Sequence, residues 1–238
     1  MIATSTDCEA QVPKADEKLP LVDFKPKSQL VVPQTLLTHA KFPAIDIHSH
    51  FSVRLRHDPS ARDGYLKVMD RNRIAMSVSL DGTLNDQLDE HIAYLEKVAP
   101  NRFAIFANLD FQGKAKAGDW ANWPCNREDF VRDCCERMKI AAEHGVCGLK
   151  IFKGLGLEYR GLDGKLLTID DPRFDPIWKT CGELGWPVII HTADPAAFFL
   201  PTDPTNERFE ELSRRPEWSF AGEGFPTRRE LLTSCCGW

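Results

Sequence analysis

The chain lacks several features that define common classes of protein. No apolar run is long enough to cross a membrane, and residues 1–30 contain no apolar core of signal-peptide length. Basic residues are not in excess, because 30 Lys and Arg stand against 35 Asp and Glu and give a formal net charge of −5. This balance argues against a nucleic acid or an anionic membrane as the partner. We therefore expect a cytoplasmic protein that binds a small molecule, and we leave homo-oligomerisation open.

Cysteine and glycine motifs are also missing. Eight cysteines are spread over 238 residues and none forms Cys-x-x-Cys, so no disulfide scaffold is expected. Cys134 and Cys135 lie in a helical pattern and Cys147 in a strand pattern, which predicts reduced, inert thiols. No Gly-x-Gly-x-x-Gly follows the first strand-like run, so the fingerprint of a dinucleotide-binding fold is absent.

The chain does contain strand-like and helix-like segments in alternation. Residues 1–40, rich in proline and charge, are predicted to be an extended arm, and residues 41–238 to be one domain. Apolar runs in this domain predict five strands, at 44–48, 74–80, 103–109, 146–152 and 187–191. Helical spacing predicts the intervening helices, at 64–72, 87–99, 127–144 and 173–184. The alternation indicates an α/β fold with parallel strands, and by itself it fits an open sheet as well as a barrel.

Three histidines indicate a metal site. His48 and His50 are two residues apart on the first strand, and side chains at positions i and i+2 of a strand project to the same side. His191 ends the fifth apolar run, and ligands in parallel α/β sheets bind at the carboxyl ends of strands. Neutral imidazoles bind divalent ions such as Zn²⁺, so we predict a metal on His48, His50 and His191. The alternative is that these are ordinary surface histidines near strand ends.

Three segments resemble the amidohydrolase superfamily: residues 46–51, residues 148–153 and residues 187–195. Within it, the chain is similar to the amidohydrolase-related branch, which includes aminocarboxymuconate-semialdehyde decarboxylase-like enzymes, dihydroxybenzoate decarboxylases and lactone hydrolases. The resemblance covers about residues 41–232 and implies a (β/α)₈ TIM-type barrel with a metal at its C-terminal mouth. It matches His48 and His50 to the first-strand ligands and His191 to the fifth-strand ligand.

The family's remaining metal-site residues have no counterpart here. A sixth-strand histidine and an eighth-strand aspartate would lie beyond the last residue, so we expect an incomplete barrel of five to six βα units. Thr227 to Glu230 form a capping-box pattern that should begin a helix, yet the sequence stops a few residues later. We therefore expect a C-terminally truncated product of a longer gene, with a natural short terminus as the alternative.

The resemblance implies a metal-dependent hydrolase. A bound divalent ion, with zinc as the first candidate, lowers the pKa of water to about 7 and activates it to attack an amide, ester or lactone carbonyl. The same motifs fit a metal-dependent, non-oxidative decarboxylase equally well. A catalytically inactive binding remnant and a TatD-like nuclease or phosphoesterase stay open as further alternatives, and no catalytic acid or base is assigned.

Lys150 is the remaining site candidate. Some relatives carry a carboxylated lysine on the fourth strand that bridges two metals, and Lys150 lies near that place. We predict that it binds an acidic substrate. The positions of Lys150 and Lys153 differ by an odd number, so a regular strand turns their side chains to opposite faces. At most one of the two therefore enters the barrel.

Other polar residues receive structural interpretations. Asp46 is predicted either to orient a ligand imidazole or to serve as a buried capping residue, and Asp194 to belong to an Asp-Pro turn. His39, His91 and His144 have no partner at ligand spacing and are predicted to be structural.

Overall fold

The computed structural model describes residues 21–236. In these residues five strands form one sheet in the order β1-β2-β3-β4-β5, and every neighbouring pair is parallel. The strands are β1 (Ala44–Ser49), β2 (Ile74–Thr83), β3 (Phe103–Asn108), β4 (Val146–Ile151) and β5 (Val188–Ile190). The helices are α1 (Phe51–Leu55), α2 (Pro59–Asn72), α3 (Leu88–Leu95), α4 (Phe130–Glu143), α5 (Gly154–Leu157), α6 (Asp175–Leu184), α7 (Phe209–Arg214) and α8 (Arg228–Ser234). Short 3₁₀ turns lie at Leu21–Asp23, Trp120–Asn122, Pro124–Asn126, Pro172–Phe174, Ala196–Phe199 and Pro216–Trp218.

This topology is that of a (β/α) barrel that is open after five strands. Sequential parallel strands lie side by side and the sheet curls into a half-barrel, which confirms the predicted incomplete TIM-type fold. All five strands were predicted, although β2 continues three residues beyond Leu80 and β5 has only three residues. Residues 21–37 belong to a separate compact unit, so the proposed boundary between an arm at 1–40 and a domain at 41–238 stays a prediction.

Capping interactions mark several helix ends in the structure. The Asp171 side chain accepts a hydrogen bond from the backbone N–H of Arg173 at the entry to the segment before α6, and Gly185 ends α6 in the left-handed conformation. Thr227 and Glu230 form the predicted capping box at the start of α8. Among the described residues no helix is long and apolar enough to cross a membrane.

The two faces of the sheet carry different layers. Strand residues such as Ile105, Leu149 and Ile151 pack in the main core with Met138 of α4 and Ile177 of α6. This is therefore the outer, helix-covered face. A second cluster of Val78, Leu80 and Phe106, with Ile189 packed against it, lies on the opposite, concave face.

Two irregularities shape the concave face at the carboxyl ends of the strands. The β1–β2 register shifts between Asp46 and Ser49, and the β2–β3 register shifts between Ser79 and Gly82. Such bulges redirect the side chains that follow them. Beyond the second bulge, residue partners across the strands form one row of Thr83, Asn108, Lys150 and Ile189.

Candidate active site

His48 and His50 lie together at the carboxyl end of β1. Their ring centroids are 5.3 Å apart and the rings are tilted by 69°. A cavity of about 450 Å³ adjoins both rings and is also lined by Arg54 and Tyr65. The structure therefore places the two first-strand histidines as neighbours beside an open space, as their i, i+2 spacing predicts.

Asp81 holds His50 in a defined orientation. Its Oδ1 lies 2.7 Å from His50 Nδ1, while its Oδ2 accepts a 2.8 Å hydrogen bond from the backbone N–H of Ser52. The Asp81 side chain is only 9% exposed. A carboxylate at this distance favours the imidazole tautomer with the proton on Nδ1, which leaves the Nε2 lone pair free. Sequence reasoning missed Asp81, although its place directly after the predicted strand 74–80 was a usable signal.

His191 lies just after β5 and is close to the carboxylate of Asp194. Its Nε2 is 3.4 Å from Asp194 Oδ1, and Asp194 Oδ2 accepts a 2.7 Å hydrogen bond from Lys153 Nζ. The interpretation of Asp194 as a turn residue alone was therefore too narrow, because its buried carboxylate joins residues from two strand ends. In residues 21–236 no three His, Cys, Asp or Glu side chains form a group ready to hold a metal ion. Thus His48 and His50 are neighbours, while His191 faces Asp194.

The electrostatic surroundings of His48 disfavour the protonation of its ring. Burial lowers its pKa below the ordinary value of 6.5, and the positive charge of Lys150 and the two imidazoles of His50 and His191 lower it further. Asp46 acts in the opposite direction. A neutral imidazole is the form that binds a metal, so the conditions at His48 suit a ligand.

Lys150 is buried on the concave face of the sheet. The residue is 1% exposed, and its Nζ has no hydrogen-bond partner among the described residues. Burial lowers the pKa of this amine below 10.5, because the charged form loses its hydration. Lys153 instead lies beyond the end of β4, in the ion pair with Asp194.

Asp46 has a structural role. Its carboxylate accepts hydrogen bonds from the His48 backbone N–H at 3.1 Å and from Ser49 Oγ at 2.7 Å. Tyr65 of α2 adds a longer contact of 3.4 Å. These bonds support the predicted capping role and fix the backbone around the β1 bulge.

His91 is the centre of a buried polar cluster. It is 3% exposed, its Nε2 lies 2.7 Å from Ser79 Oγ, and its Nδ1 lies 3.1 Å from His57 Nε2. Burial, together with the nearby His57, lowers the pKa of His91 from 6.5 to about 4, against the opposing effect of Asp81. These contacts support the predicted structural role.

The low pKa of His91 predicts an acid-sensitive fold. The unfolded chain takes up a proton at this residue below pH 6.5, whereas the folded chain resists protonation until about pH 4. The free energy of unfolding should therefore fall as the pH drops from 6.5 to 4, by about 3 kcal/mol from this residue. Urea unfolding at pH 7 and pH 4.5 measures the loss. His91→Gln, which does not titrate, should show a smaller loss, whereas exposed His39→Gln should match the parent; equal losses in all three proteins would contradict the prediction.

Comparison with known proteins identifies the family. The chain belongs to the amidohydrolase family, whose model Amidohydro_2 matches residues 45–227. This confirms the family predicted from the residues.

Two solved structures are also similar to the chain. One is 2,6-dihydroxybenzoate decarboxylase from Rhizobium, with 16% identity and a TM-score of 0.48 over 82% of this chain and 60% of that one. The other is 2,6-dihydroxybenzoate decarboxylase complexed with 2,6-dihydroxybenzoate, with 15% identity and a TM-score of 0.44 over 84% and 60% of the two chains. The chain thus spans about three fifths of the length of these structures. No curated protein matches it.

Proposed function

We propose that the chain carries the metal-binding half of an amidohydrolase-type enzyme that cleaves a C–N or C–O bond of a small acidic molecule. The observation that supports this most directly is the imidazole pair of His48 and His50, with the Asp81 carboxylate behind His50. A carboxylate behind a ligand histidine is the usual outer partner of a metal site in proteins. Members of the family usually bind a divalent metal.

The donor chemistry of these residues fits such an ion. Two imidazole rings, those of His48 and His50, adjoin the same cavity. His191, whose Nε2 lies 3.4 Å from Asp194 Oδ1, is the third proposed ligand. Imidazole suits zinc above the harder cations, so zinc remains the first candidate. When bound, the ion polarises a carbonyl group and lowers the pKa of water.

The protein residues have separate tasks in this proposal. Asp81 keeps the proton of His50 on Nδ1, and desolvation lowers the pKa of His48 below its ordinary value. Lys150 supplies a positive charge on the concave face that no carboxylate of the described residues neutralises. Such a charge favours an anionic substrate.

A decarboxylase is the second candidate, and one observation favours it. The unpaired amine of Lys150 suits a carboxylate, which is the group that a decarboxylase removes. Hydrolysis and decarboxylation differ in their products, so assays for lactone or amide hydrolysis and for CO₂ release from aromatic acids separate the two. The activity of the whole enzyme, the small-molecule partner and the cytoplasmic location are all parts of this proposal.

Zinc titration of the purified chain tests the proposed site. We expect His191→Ala to weaken zinc binding by roughly tenfold or more, since it removes one of three ligands. His144→Ala, at an exposed histidine on α4's C-terminal end, is the matched control and should bind zinc as the parent does. Zinc binding that is unchanged in His191→Ala would remove the fifth-strand ligand from the proposal. No zinc binding by the parent chain would favour the inactive remnant.

A further inference from the structure

A second cavity lies apart from the candidate metal site. It has a volume of about 400 Å³, and it is lined by the segments that follow β2 and β3 and by the amino-terminal half of α4. Two of its lining residues, Leu109 and Phe130, belong to the core on the outer face of the sheet. Among the described residues, none lines both this cavity and the one beside the imidazole pair. We call it the outer cavity, and its size is that of a small-molecule site.

The floor of the outer cavity is apolar. Leu109, Phe130 and Cys134 line it and are all buried, and Leu84 and Pro124 add half-buried apolar surface. Burial raises the pKa of the Cys134 thiol to about 12. The thiol therefore stays protonated near neutral pH and acts as a small apolar group. This floor suits contact with the apolar body of a ligand.

Arg137 brings an exposed positive charge to the outer cavity. Its Nη1 atom donates a 2.8 Å hydrogen bond to the backbone oxygen of Leu84, which holds the guanidinium between α4 and the segment after β2. No carboxylate of the described residues lies within ion-pair distance of it, whereas Arg127 in the same lining is paired with Asp129 and Asp133. A guanidinium has five N–H donors, so most of those on Arg137 are free for an anionic group.

Asp110 brings the opposite charge to the same cavity. Its carboxylate is exposed, and its Oδ1 accepts a 2.7 Å hydrogen bond from the backbone N–H of Gly113. Within the part of the chain that the structure describes, no basic side chain lies within ion-pair distance of Asp110. The other carboxylate in the lining, that of Asp133, is already bound by Arg127 and Arg132. The outer cavity thus has one unpaired cation and one unpaired anion above an apolar floor.

We propose that the outer cavity binds a small zwitterion with an apolar body, either a free apolar amino acid or a short apolar peptide. Arg137 binds its carboxylate group and Asp110 binds its ammonium group. The apolar body lies against Leu109, Phe130 and Cys134. A ligand with a single charge would leave one of the two protein charges without a partner, so charge complementarity favours the zwitterion. This site contains no candidate metal ligand and does not depend on the proposed function.

Compounds that share a phenyl group and differ in charge test the proposal. L-Phenylalanine carries both charges, hydrocinnamate lacks the ammonium group and phenethylamine lacks the carboxylate. Calorimetric titration of the purified chain in metal-free buffer should show L-phenylalanine binding about tenfold more tightly than either analogue, as one hydrogen bond to a charged group provides. Glycine, which lacks the apolar body, should bind at least about tenfold more weakly than L-phenylalanine.

A dipeptide distinguishes the two sources of the ligand. Leucylphenylalanine has the same two charged groups as L-phenylalanine, but they are further apart. Tighter binding of the dipeptide makes a peptide the ligand, and tighter binding of L-phenylalanine makes it a free amino acid. Either result supports a zwitterion site.

Each charge of the outer cavity has its own variant. Arg137→Gln should remove the advantage of L-phenylalanine over phenethylamine and keep its advantage over hydrocinnamate, and Asp110→Asn should do the reverse. Arg71→Gln and Asp170→Asn change exposed residues outside the lining, so these matched controls should keep both advantages. Both cavity residues are exposed, and we expect their variants to unfold cooperatively near the Tm of the parent.

The buried amine of Lys150 is a competing place for a carboxylate on the concave face. If the proposal is right, Lys150→Met binds L-phenylalanine as the parent does. The proposal is overturned if the parent binds none of the probes or binds the three phenyl compounds equally. It is also overturned if Arg137→Gln and Asp110→Asn keep both advantages, or if Lys150→Met abolishes binding. Zinc titration is a separate measurement, so its failure would overturn the metal site and leave the zwitterion site in place.

Discussion

Replacing His50 with alanine is expected to weaken zinc binding by about 100-fold or more, since a lost ligand costs more than a lost outer partner. The reason is geometric, because the Nε2 atom of His50 is the donor that the structure leaves free while Asp81 occupies Nδ1. Competition with a chromophoric zinc chelator measures the change. If His50→Ala bound zinc like the parent, any bound ion would lie elsewhere on the chain.

Asp81→Asn tests the same arrangement without removing a ligand. The Ser52 backbone N–H donates to Asp81 Oδ2, so it should keep the carbonyl oxygen of the new amide and turn the NH₂ group toward His50. The amide then donates to Nδ1, the ring proton moves to Nε2, and the lone pair needed for zinc is lost. We expect a loss of roughly 10- to 100-fold in zinc affinity.

A neighbouring carboxylate provides the control for this prediction. Asp46 lies on β1, close to both histidines in sequence. Its carboxylate accepts hydrogen bonds from the His48 backbone N–H, Ser49 and Tyr65, and it does not bond to an imidazole ring. Asp46→Asn should therefore leave zinc affinity close to that of the parent, even where it lowers stability. Equal losses in both variants would show that charge near the site, and not the tautomer of His50, controls binding.

The framework of the fold could be predicted because each strand is a local apolar run. Those runs located all five strands, and the capping box of Thr227 and Glu230 located the start of α8, since both signals depend on neighbours in sequence. The length of β2 was wrong by three residues. Its continuation through Asp81 and Gly82 depends on the bulge and on Asn108, which is supplied by the next strand.

The site was predictable only where its residues follow a local pattern. The spacing of His48 and His50 predicted that their rings are neighbours. The odd spacing of Lys150 and Lys153 predicted that only one of these lysines lies on the concave face. The contacts of Asp81 with His50 and of Asp194 with Lys153 join residues 31 and 41 positions apart, so no local pattern contains them. The position of Asn108 opposite Lys150 depends in the same way on the register between β3 and β4.

Lys150→Met is expected to stabilise the chain while it removes the proposed substrate contact. Methionine has a similar length and no charge, so the variant fills the same space without an unpaired buried donor. We expect a gain of about 2 kcal/mol in the free energy of unfolding and a rise in Tm of about 4–8 °C. Exposed Lys139→Met on α4 is the control and should change the stability little.

The pH dependence of this gain tests its cause. Burial lowers the pKa of Lys150 below 10.5, so the folded chain releases this proton at a lower pH than the unfolded chain does. The parent is therefore penalised fully at neutral and acidic pH, and the penalty declines as the pH rises toward 10.5. The advantage of Lys150→Met should be largest at neutral pH and should shrink in alkaline buffer, as calorimetric melts can follow. A variant less stable than the parent at neutral pH would mean that the amine has a partner in solution, whereas a stabilised variant would show that the chain retains Lys150 at a cost to its own folding, as residues kept for binding do.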